Sequence, residues 1–177
     1  MHSFWKRFQN FCTTTVIFCT CWTAYTNLIP SVQTLGEAFY FEAGNEPLRG
    51  QLAIAAVVFN RIKSPEYPKT VVAVVTDGAN RGKGCDFSYT CDGKPEAVKR
   101  WDSWFKLQAS YALAGTVLGV YNTTGYYYDP TGGALTYQTV AGKDTGWFGL
   151  FNKCAVIGQH KFYCKKKAAT ITANSSP

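Results

Sequence analysis

The sequence predicts an α+β fold: a mainly helical domain with a small antiparallel β-sheet near its C-terminus, preceded by an N-terminal membrane-targeting helix. Two segments, 48–62 and 95–120, repeat apolar residues at spacings of three and four, which is typical of helices packed on a core. After Gly119 the chain becomes rich in tyrosine and glycine, which favours strands and turns. A chain of 177 residues that is 46% apolar suffices for one packed domain.

The N-terminal segment, residues 1–33, is predicted to direct the protein to a membrane. No charged residue stands between Arg7 and Glu37, and residues 8–29 form a stretch long enough to cross a bilayer as a helix. Lys6 and Arg7 favour a cytoplasmic N-terminus, with the following domain outside. The segment is weakly apolar because of its many threonines, and it has no clear cleavage site. A cleaved signal peptide, a permanent anchor and an anchor that later releases the protein all remain open.

The next predicted element is a short helix from about Leu35 through Ala43. Thr34 and Glu37 fit a capping box at its start, and Gly44 suits its end. Glu42 then lies in the last turn, at the negative end of the helix dipole and beside aromatic residues, so we expect its pKa to rise. Such a carboxyl group suits proton donation, although an exposed glutamate beside a turn is the plain structural alternative.

A second, longer helix is predicted to follow at once. Pro47 suits a first helical position, and Glu46 beside it lies where the positive end of the dipole favours an anion. This gives Glu46 a structural interpretation as well as a catalytic one. The apolar face is formed by Leu48, Leu52, Ala55, Val58, Phe59 and Ile62.

Two further helices are indicated before the sheet. The stretch KTVVAVVTDG after Pro68 favours one short helix over a strand. A long helix follows Pro95, with Trp104 and Tyr111 off its apolar stripe and assigned to the surface or to a groove. The stripe, interpreted as core, consists of Val98, Trp101, Phe105, Ala109, Ala112, Leu113, Thr116 and Val117.

The C-terminal part is predicted to hold the sheet. Residues 129–133, Asp-Pro-Thr-Gly-Gly, form a strong turn signal, and a strand over 134–140 is expected to pair with residues 155–163. Residues 165–177, which begin with three lysines, are interpreted as a basic disordered tail.

The seven cysteines indicate disulfides in an exported chain. Cys85 and Cys91 bracket five residues, and Cys154 and Cys164 bracket a predicted hairpin with Gly158 near its turn, so both are natural pairs. The others lie in the N-terminal segment, where small apolar filler and a transient wrong pairing both remain open: Cys12, Cys19 and Cys21.

The formal net charge of +7 is concentrated at the ends of the chain. Outside residues 37–160 there are six basic residues and no acidic one, so the interior carries a net charge of about +1. Basic ends beside a near-neutral domain suit attraction to anionic lipid or wall polymers. No helix-turn-helix or zinc-finger spacing is present, so we expect no nucleic-acid partner.

Four motifs in order make the chain resemble the SleB-like cell-wall hydrolases over residues 37–164. They are EAFYFEAGNEPLRGQLAIAAVVFNRI, CDFSYTCDG, TGGALTY and IGQHKFY, beginning at residues 37, 85, 131 and 157. The resemblance implies a lysozyme-like fold and a peptidoglycan-cleaving catalytic domain over 34–164. The chain departs from the family where Gly44 and Asn45 replace the usual Arg-Gly.

The resemblance also implies the reaction. Glu42 matches the first glutamate of the family's E-A-x-x-E motif, the catalytic acid for cleavage between N-acetylmuramic acid and N-acetylglucosamine. Hydrolysis by a muramidase and anhydro-forming lytic transglycosylation both remain open, since a second carboxylate is needed only for the former. The candidates for that second group are Glu46, which we rank first, and Asp86, Asp92 and Asp129.

Sugar-binding clefts favour aromatic faces and neutral hydrogen-bonding groups. For Tyr137 a core aromatic, and for His160 a satisfied strand histidine, are the structural alternatives. The predicted substrate-binding residues are Gln51, Phe87, Ser88, Tyr137 and His160.

The weakly apolar N-terminal segment resembles the signal-arrest-release segments of some phage endolysins. We therefore expect an exported monomer that is tethered to the inner membrane and then acts in the periplasm or cell wall on peptidoglycan, in lysis or remodelling, without a cofactor or metal.

Three other functions stay open. A cysteine amidase or peptidase would use Cys85 or Cys91 with His160 as base. A zinc hydrolase would need ligands from the same residues and Cys164, but no H-E-x-x-H motif is present. A wall-binding module without catalysis is the third.

Overall fold

The computed structural model describes residues 29–81, 85–92, 101–143 and 150–166. The predicted membrane-targeting stretch and the C-terminal tail therefore lie almost entirely outside the described residues. Within these ranges the chain is mainly helical and carries one small three-stranded antiparallel sheet, which confirms the predicted architecture. None of the described helices is both long enough and apolar enough to cross a bilayer.

The first two helices place the candidate acids. Helix α1 covers residues 29–43 and therefore extends further toward the N-terminus than the predicted start near Leu35. The reason is packing: Val32 contacts the same core as Leu35 and Phe39, one face of a continuous helix. Helix α2 runs over Leu48–Lys63 after a tight turn.

Helix α2 is the central element of the core. Seven consecutive residues from Ala53 to Phe59 are buried, which means that other elements surround this helix instead of covering one face only. The short predicted helix is confirmed as α3, Val71–Val75, capped by the Thr70 hydroxyl, which accepts a hydrogen bond from the Ala73 amide.

Helix α4, Trp101–Thr124, meets the core along a face that agrees only in part with the predicted one, since Leu113 and Val117 pack on the core as predicted. Phe105 is 62% exposed, whereas Ser110, Ala114 and Leu118 are buried. The prediction is wrong for Phe105 because this helix is apolar on several sides, so that spacing alone does not identify the whole face that meets the core. Tyr111 is partly buried and packs against Gly36 of α1.

The sheet has the strand order β1-β3-β2, with β1 over Thr136–Thr139, β2 over Phe151–Ile157 and β3 over His160–Lys165. Both pairings are antiparallel, as predicted, and β2 and β3 form the expected hairpin around Gly158. The pairing Tyr137↔Phe162 sets the register of β1, and the strand places Tyr137 against the helical core. Lys165, predicted to begin the tail, belongs to β3.

Both predicted disulfides are confirmed. Cys85–Cys91 closes a loop with a short 3-10 turn over Ser88–Thr90, and Cys154–Cys164 joins β2 to β3. One covalent link therefore constrains the loop beside α1, and the other constrains the hairpin.

Candidate active site

Glu42 lies in the last turn of α1 and is held by the disulfide loop. The backbone amide of Ser88 donates to Glu42 Oε1 at 3.0 Å, and the Ser88 hydroxyl donates to the same oxygen at 3.2 Å. Two donors on one oxygen fix the orientation of the carboxylate. Glu42 is only partly buried, so the group is both positioned and accessible.

The loop is docked on α1 by a second set of contacts. The ring of Tyr89 stacks on Phe41 with centroids 4.9 Å apart, and the Tyr89 hydroxyl donates to the carbonyl of Thr34 at 3.4 Å. Because Tyr89 and Ser88 are adjacent in the loop, the stacking holds Ser88 in place beside Glu42.

Tyr137, on β1, adds a buried hydroxyl to this site. Within the described part of the chain its oxygen has no hydrogen-bond partner. Burial raises the pKa of Tyr137 well above that of a free tyrosine, and the neighbouring Glu42 carboxylate raises it further, while the cation of Arg61 opposes both effects. The phenol therefore keeps its proton and remains a donor close to Glu42.

Glu46 lies in a different environment, against the β2–β3 turn. Its Oε1 accepts a hydrogen bond from the Gln159 amide at 2.8 Å and lies 3.3 Å from His160 Nδ1. The Glu46 side chain is only 6% exposed. The Glu46 carboxylate therefore links the N-terminal end of α2 to the hairpin.

The remaining predicted binding residues differ in their access to solvent. Ser88 is exposed and Gln51 is partly exposed, with its amide donating to the Glu46 carbonyl at 3.3 Å. Phe87, in contrast, is 0% exposed, and His160 is also buried. The ring of Phe87 packs 6.1 Å from that of Tyr137 and belongs to the hydrophobic core, and its contact with substrate stays a prediction.

Two of the other candidate carboxylates are engaged elsewhere. Asp86 Oδ1 accepts from Arg61 Nη2 at 3.2 Å. Asp129 accepts hydrogen bonds from Thr131, Gly133 and Asn60, so it stabilises the turn before β1. Burial alone would raise the pKa of Asp129, but these hydrogen bonds outweigh it and lower the pKa.

Arg61 is a residue of this site that the sequence patterns did not predict. It lies on α2 between Asn60 and Ile62, is 1% exposed and donates through Nε to the Leu135 carbonyl at 2.7 Å. The sequence did contain an indication of this role. An arginine close to the apolar positions Phe59 and Ile62 either interrupts the apolar face of the helix or is a buried cation.

The candidate cysteine nucleophiles carry no free thiol, because Cys85 and Cys91 are bonded to each other. Within the described residues no group of three or more histidine, cysteine or acidic side chains could hold a metal ion. What the arrangement offers chemically is a fixed carboxyl group, a protonated phenol beside it and hydrogen-bond donors on an exposed loop.

A helical domain that holds a partly exposed carboxyl group in the last turn of a helix has an arrangement suited to an enzyme. The chain belongs to the Cell Wall Hydrolase family, whose model matches residues 45–163. The matched stretch begins just after Glu42 and includes the disulfide loop, Tyr137 and the hairpin.

Relatives of this chain support the same grouping. It is 31% identical over 134 residues to the spore cortex-lytic enzyme of Oceanobacillus iheyensis, an alignment that covers 76% of this chain and 41% of that enzyme. Three curated relatives align with about three quarters of this chain. The chain spans less than half the length of each of them.

Two solved structures are similar in fold and 26% identical in sequence. The catalytic domain of the Bacillus cereus SleB protein has a TM-score of 0.53, with 77% of this chain and 90% of that domain covered. The catalytic domain of the germination-specific lytic transglycosylase SleB of Bacillus anthracis also has a TM-score of 0.53, with 77% and 94% covered.

Proposed function

We propose that this protein cleaves the glycan strands of peptidoglycan between N-acetylmuramic acid and N-acetylglucosamine, with Glu42 as general acid. The observation that carries the proposal is the double hydrogen bond from Ser88 to Glu42 Oε1, in a chain that belongs to the Cell Wall Hydrolase family. A carboxyl group oriented in this way can address one glycosidic oxygen.

In the first step Glu42 gives its proton to the glycosidic oxygen as the bond to C1 of the muramyl residue breaks. Positive charge develops at C1 and the ring oxygen, and Glu42 becomes a carboxylate. Ser88 stabilises that carboxylate through its two hydrogen bonds. The protonated phenol of Tyr137 is available as a further donor to it, because its oxygen has no other partner among the described residues.

The second step needs a nucleophile at C1. We propose the route without a second acid: the muramyl 6-hydroxyl attacks C1, Glu42 takes the hydroxyl proton, and a 1,6-anhydro end forms. Glu46 is held by Gln159 and His160, and Asp86 is held by Arg61, so neither is poised to activate water. The similar catalytic domain from Bacillus anthracis is that of a germination-specific lytic transglycosylase, which supports the same route.

Peptidoglycan lies outside the cytoplasm, so the proposal includes export. Two disulfides in the domain fit an oxidising compartment. Tethering through the N-terminal segment and later release stay predictions.

The test is digestion of purified sacculi followed by mass spectrometry of the released fragments. We expect fragments with anhydromuramyl ends, lighter than hydrolysed ends by one water, and no fragments from Glu42→Gln at unchanged thermal stability. Fragments with hydrolysed ends would show that the reaction is hydrolysis and not transglycosylation. Undiminished release by the folded variant would exclude Glu42 as the acid, and binding of sacculi without release by the unaltered protein would make it a wall-binding module.

A further inference from the structure

We propose that Arg61 is a positioning residue for the reaction, acting through Ser88 and Tyr137. The inference rests on the proposed function of Glu42. Among the described residues, no hydrogen bond joins Arg61 to Glu42. Arg61 instead connects the loop that carries Ser88 with the strand that carries Tyr137.

The first junction is to the disulfide loop. Arg61 Nη2 donates to Asp86 Oδ1 at 3.2 Å, and Asp86 stands two residues before Ser88, whose amide and hydroxyl hold Glu42. The second junction is to the sheet. Arg61 Nε donates to the Leu135 carbonyl at 2.7 Å, and Leu135 stands two residues before Tyr137.

The guanidinium is held rigidly between these junctions. Its carbon lies 5.1 Å from the ring centroid of Tyr67 and 5.7 Å from that of Phe87, so aromatic faces cover it. Phe87 in turn packs against Tyr137. The planar guanidinium of arginine can donate hydrogen bonds to a carboxylate and to a carbonyl in different directions at once. A lysine ammonium on a flexible side chain does not reproduce this geometry.

A charge that is 1% exposed is expensive to bury, and Asp86 lies 3.2 Å from it as the partner of an ion pair. The Nη1 atom of Arg61 is buried without a hydrogen-bond partner among the described residues. An apolar residue would fill this volume at lower cost if stability were the only requirement. The structure therefore assigns Arg61 a role in spacing Ser88 and Tyr137 around Glu42.

The test compares Arg61→Lys with Arg49→Lys in the full-length chain. Arg49 is an exposed arginine on the same helix, so its variant is a matched control. With soluble glycan strands as substrate, we expect Arg61→Lys to lower kcat about 10- to 100-fold, with KM changed less than about threefold, and Arg49→Lys to leave both unchanged. Wild-type kcat in folded Arg61→Lys would overturn the inference.

Coupling to Ser88 separates positioning from general loosening. We expect the loss in Arg61→Lys/Ser88→Ala to be smaller than the product of the two single losses, because both act on the same carboxylate. Losses that multiply would mean that Arg61 does not act through Ser88.

A second readout does not depend on activity. Hydrogen exchange of the Ser88 amide, measured by NMR, is expected to be faster in Arg61→Lys than in Arg49→Lys, and unchanged exchange would contradict the inference. If Arg61→Lys does not fold, Asp86→Ala breaks the loop junction alone and is expected to show the same two effects, while full activity with unchanged exchange would overturn the proposal. If Glu42→Gln stays active, the proposed function fails, and the exchange measurement still decides whether Arg61 positions the loop.

Discussion

A Cβ atom at position 158 would lie 1.5 Å from Oε2 of Glu46. The residue there is a glycine, which lets the β2–β3 turn approach the Glu46 carboxylate closely. The same Gly158 has φ of +57°. The backbone conformation therefore favours glycine, and a side chain at this position would displace the Glu46 carboxylate where α2 and the hairpin meet.

Gly158→Ala is expected to destabilise the domain by about 3 kcal/mol or more, because it combines backbone strain with displacement of Glu46. Gly125→Ala is the matched control: φ is +69° there, but nothing lies within 4 Å of the added Cβ, so a loss of about 1 kcal/mol from strain alone is expected. Urea unfolding measures both. Equal losses would show that the contact with Glu46 contributes nothing.

Glu46→Gln tests the catalytic interpretation of this residue. We expect a loss of about 1 to 3 kcal/mol in the free energy of unfolding, since the buried acceptor of the Gln159 amide, which also lies 3.3 Å from His160 Nδ1, loses its charge. Fragment release per folded molecule is expected to stay within about threefold. An inactive variant with unchanged stability would instead make Glu46 the second catalytic carboxylate.

Tyr137→Phe is expected to lower activity without lowering stability. It removes a buried hydroxyl that has no partner among the described residues, so the melting temperature should hold or rise. Loss of the donor beside Glu42 should lower kcat about 10- to 100-fold. Paired activity and calorimetry measurements check this, with Tyr121→Phe, in the core, as control. Full activity would remove Tyr137 from the mechanism.

The two disulfides are expected to contribute differently to activity. Removing either pair by serine substitution should cost about 2 to 3 kcal/mol of stability. Only Cys85→Ser/Cys91→Ser should also lower kcat at a temperature where the protein stays folded, because that loop carries Ser88. Cys154→Ser/Cys164→Ser provides the comparison. Equal kcat in the two variants would contradict a role of the loop in orienting Glu42.

Asp129 is expected to contribute a pH-dependent part of the stability. Its folded-state pKa is lowered, so its contribution is present above the pKa of the unfolded chain and is lost as pH falls through the folded-state pKa. Asp129→Asn should therefore differ from the unaltered protein by about 1 kcal/mol or less near neutral pH, and the difference should shrink in acid. Urea unfolding over a pH series measures it, and a constant difference would contradict the assignment.

Local patterns in the sequence determined the elements and several of their junctions. The spacing of apolar residues predicted α2, and the stretch KTVVAVVTDG after Pro68 predicted the short α3 helix. Cysteines that bracket short segments predicted both disulfides, and Gly158 between the second pair indicated the hairpin turn. These features depend on neighbours within a few residues of each other, for which sequence spacing translates directly into geometry. The four ordered motifs likewise predicted the family.

The assembly of the site was decided by tertiary structure alone. Ser88 meets Glu42 across 46 positions of sequence, and Gln159 meets Glu46 across 113. Local patterns place the two glutamates, four residues apart, at opposite ends of successive helices, but their hydrogen-bond partners come from segments that only packing brings to them. The same holds for Arg61: its burial follows from the loop and the strand that close over α2, since a cation is tolerated inside a protein only where distant partners supply its hydrogen bonds.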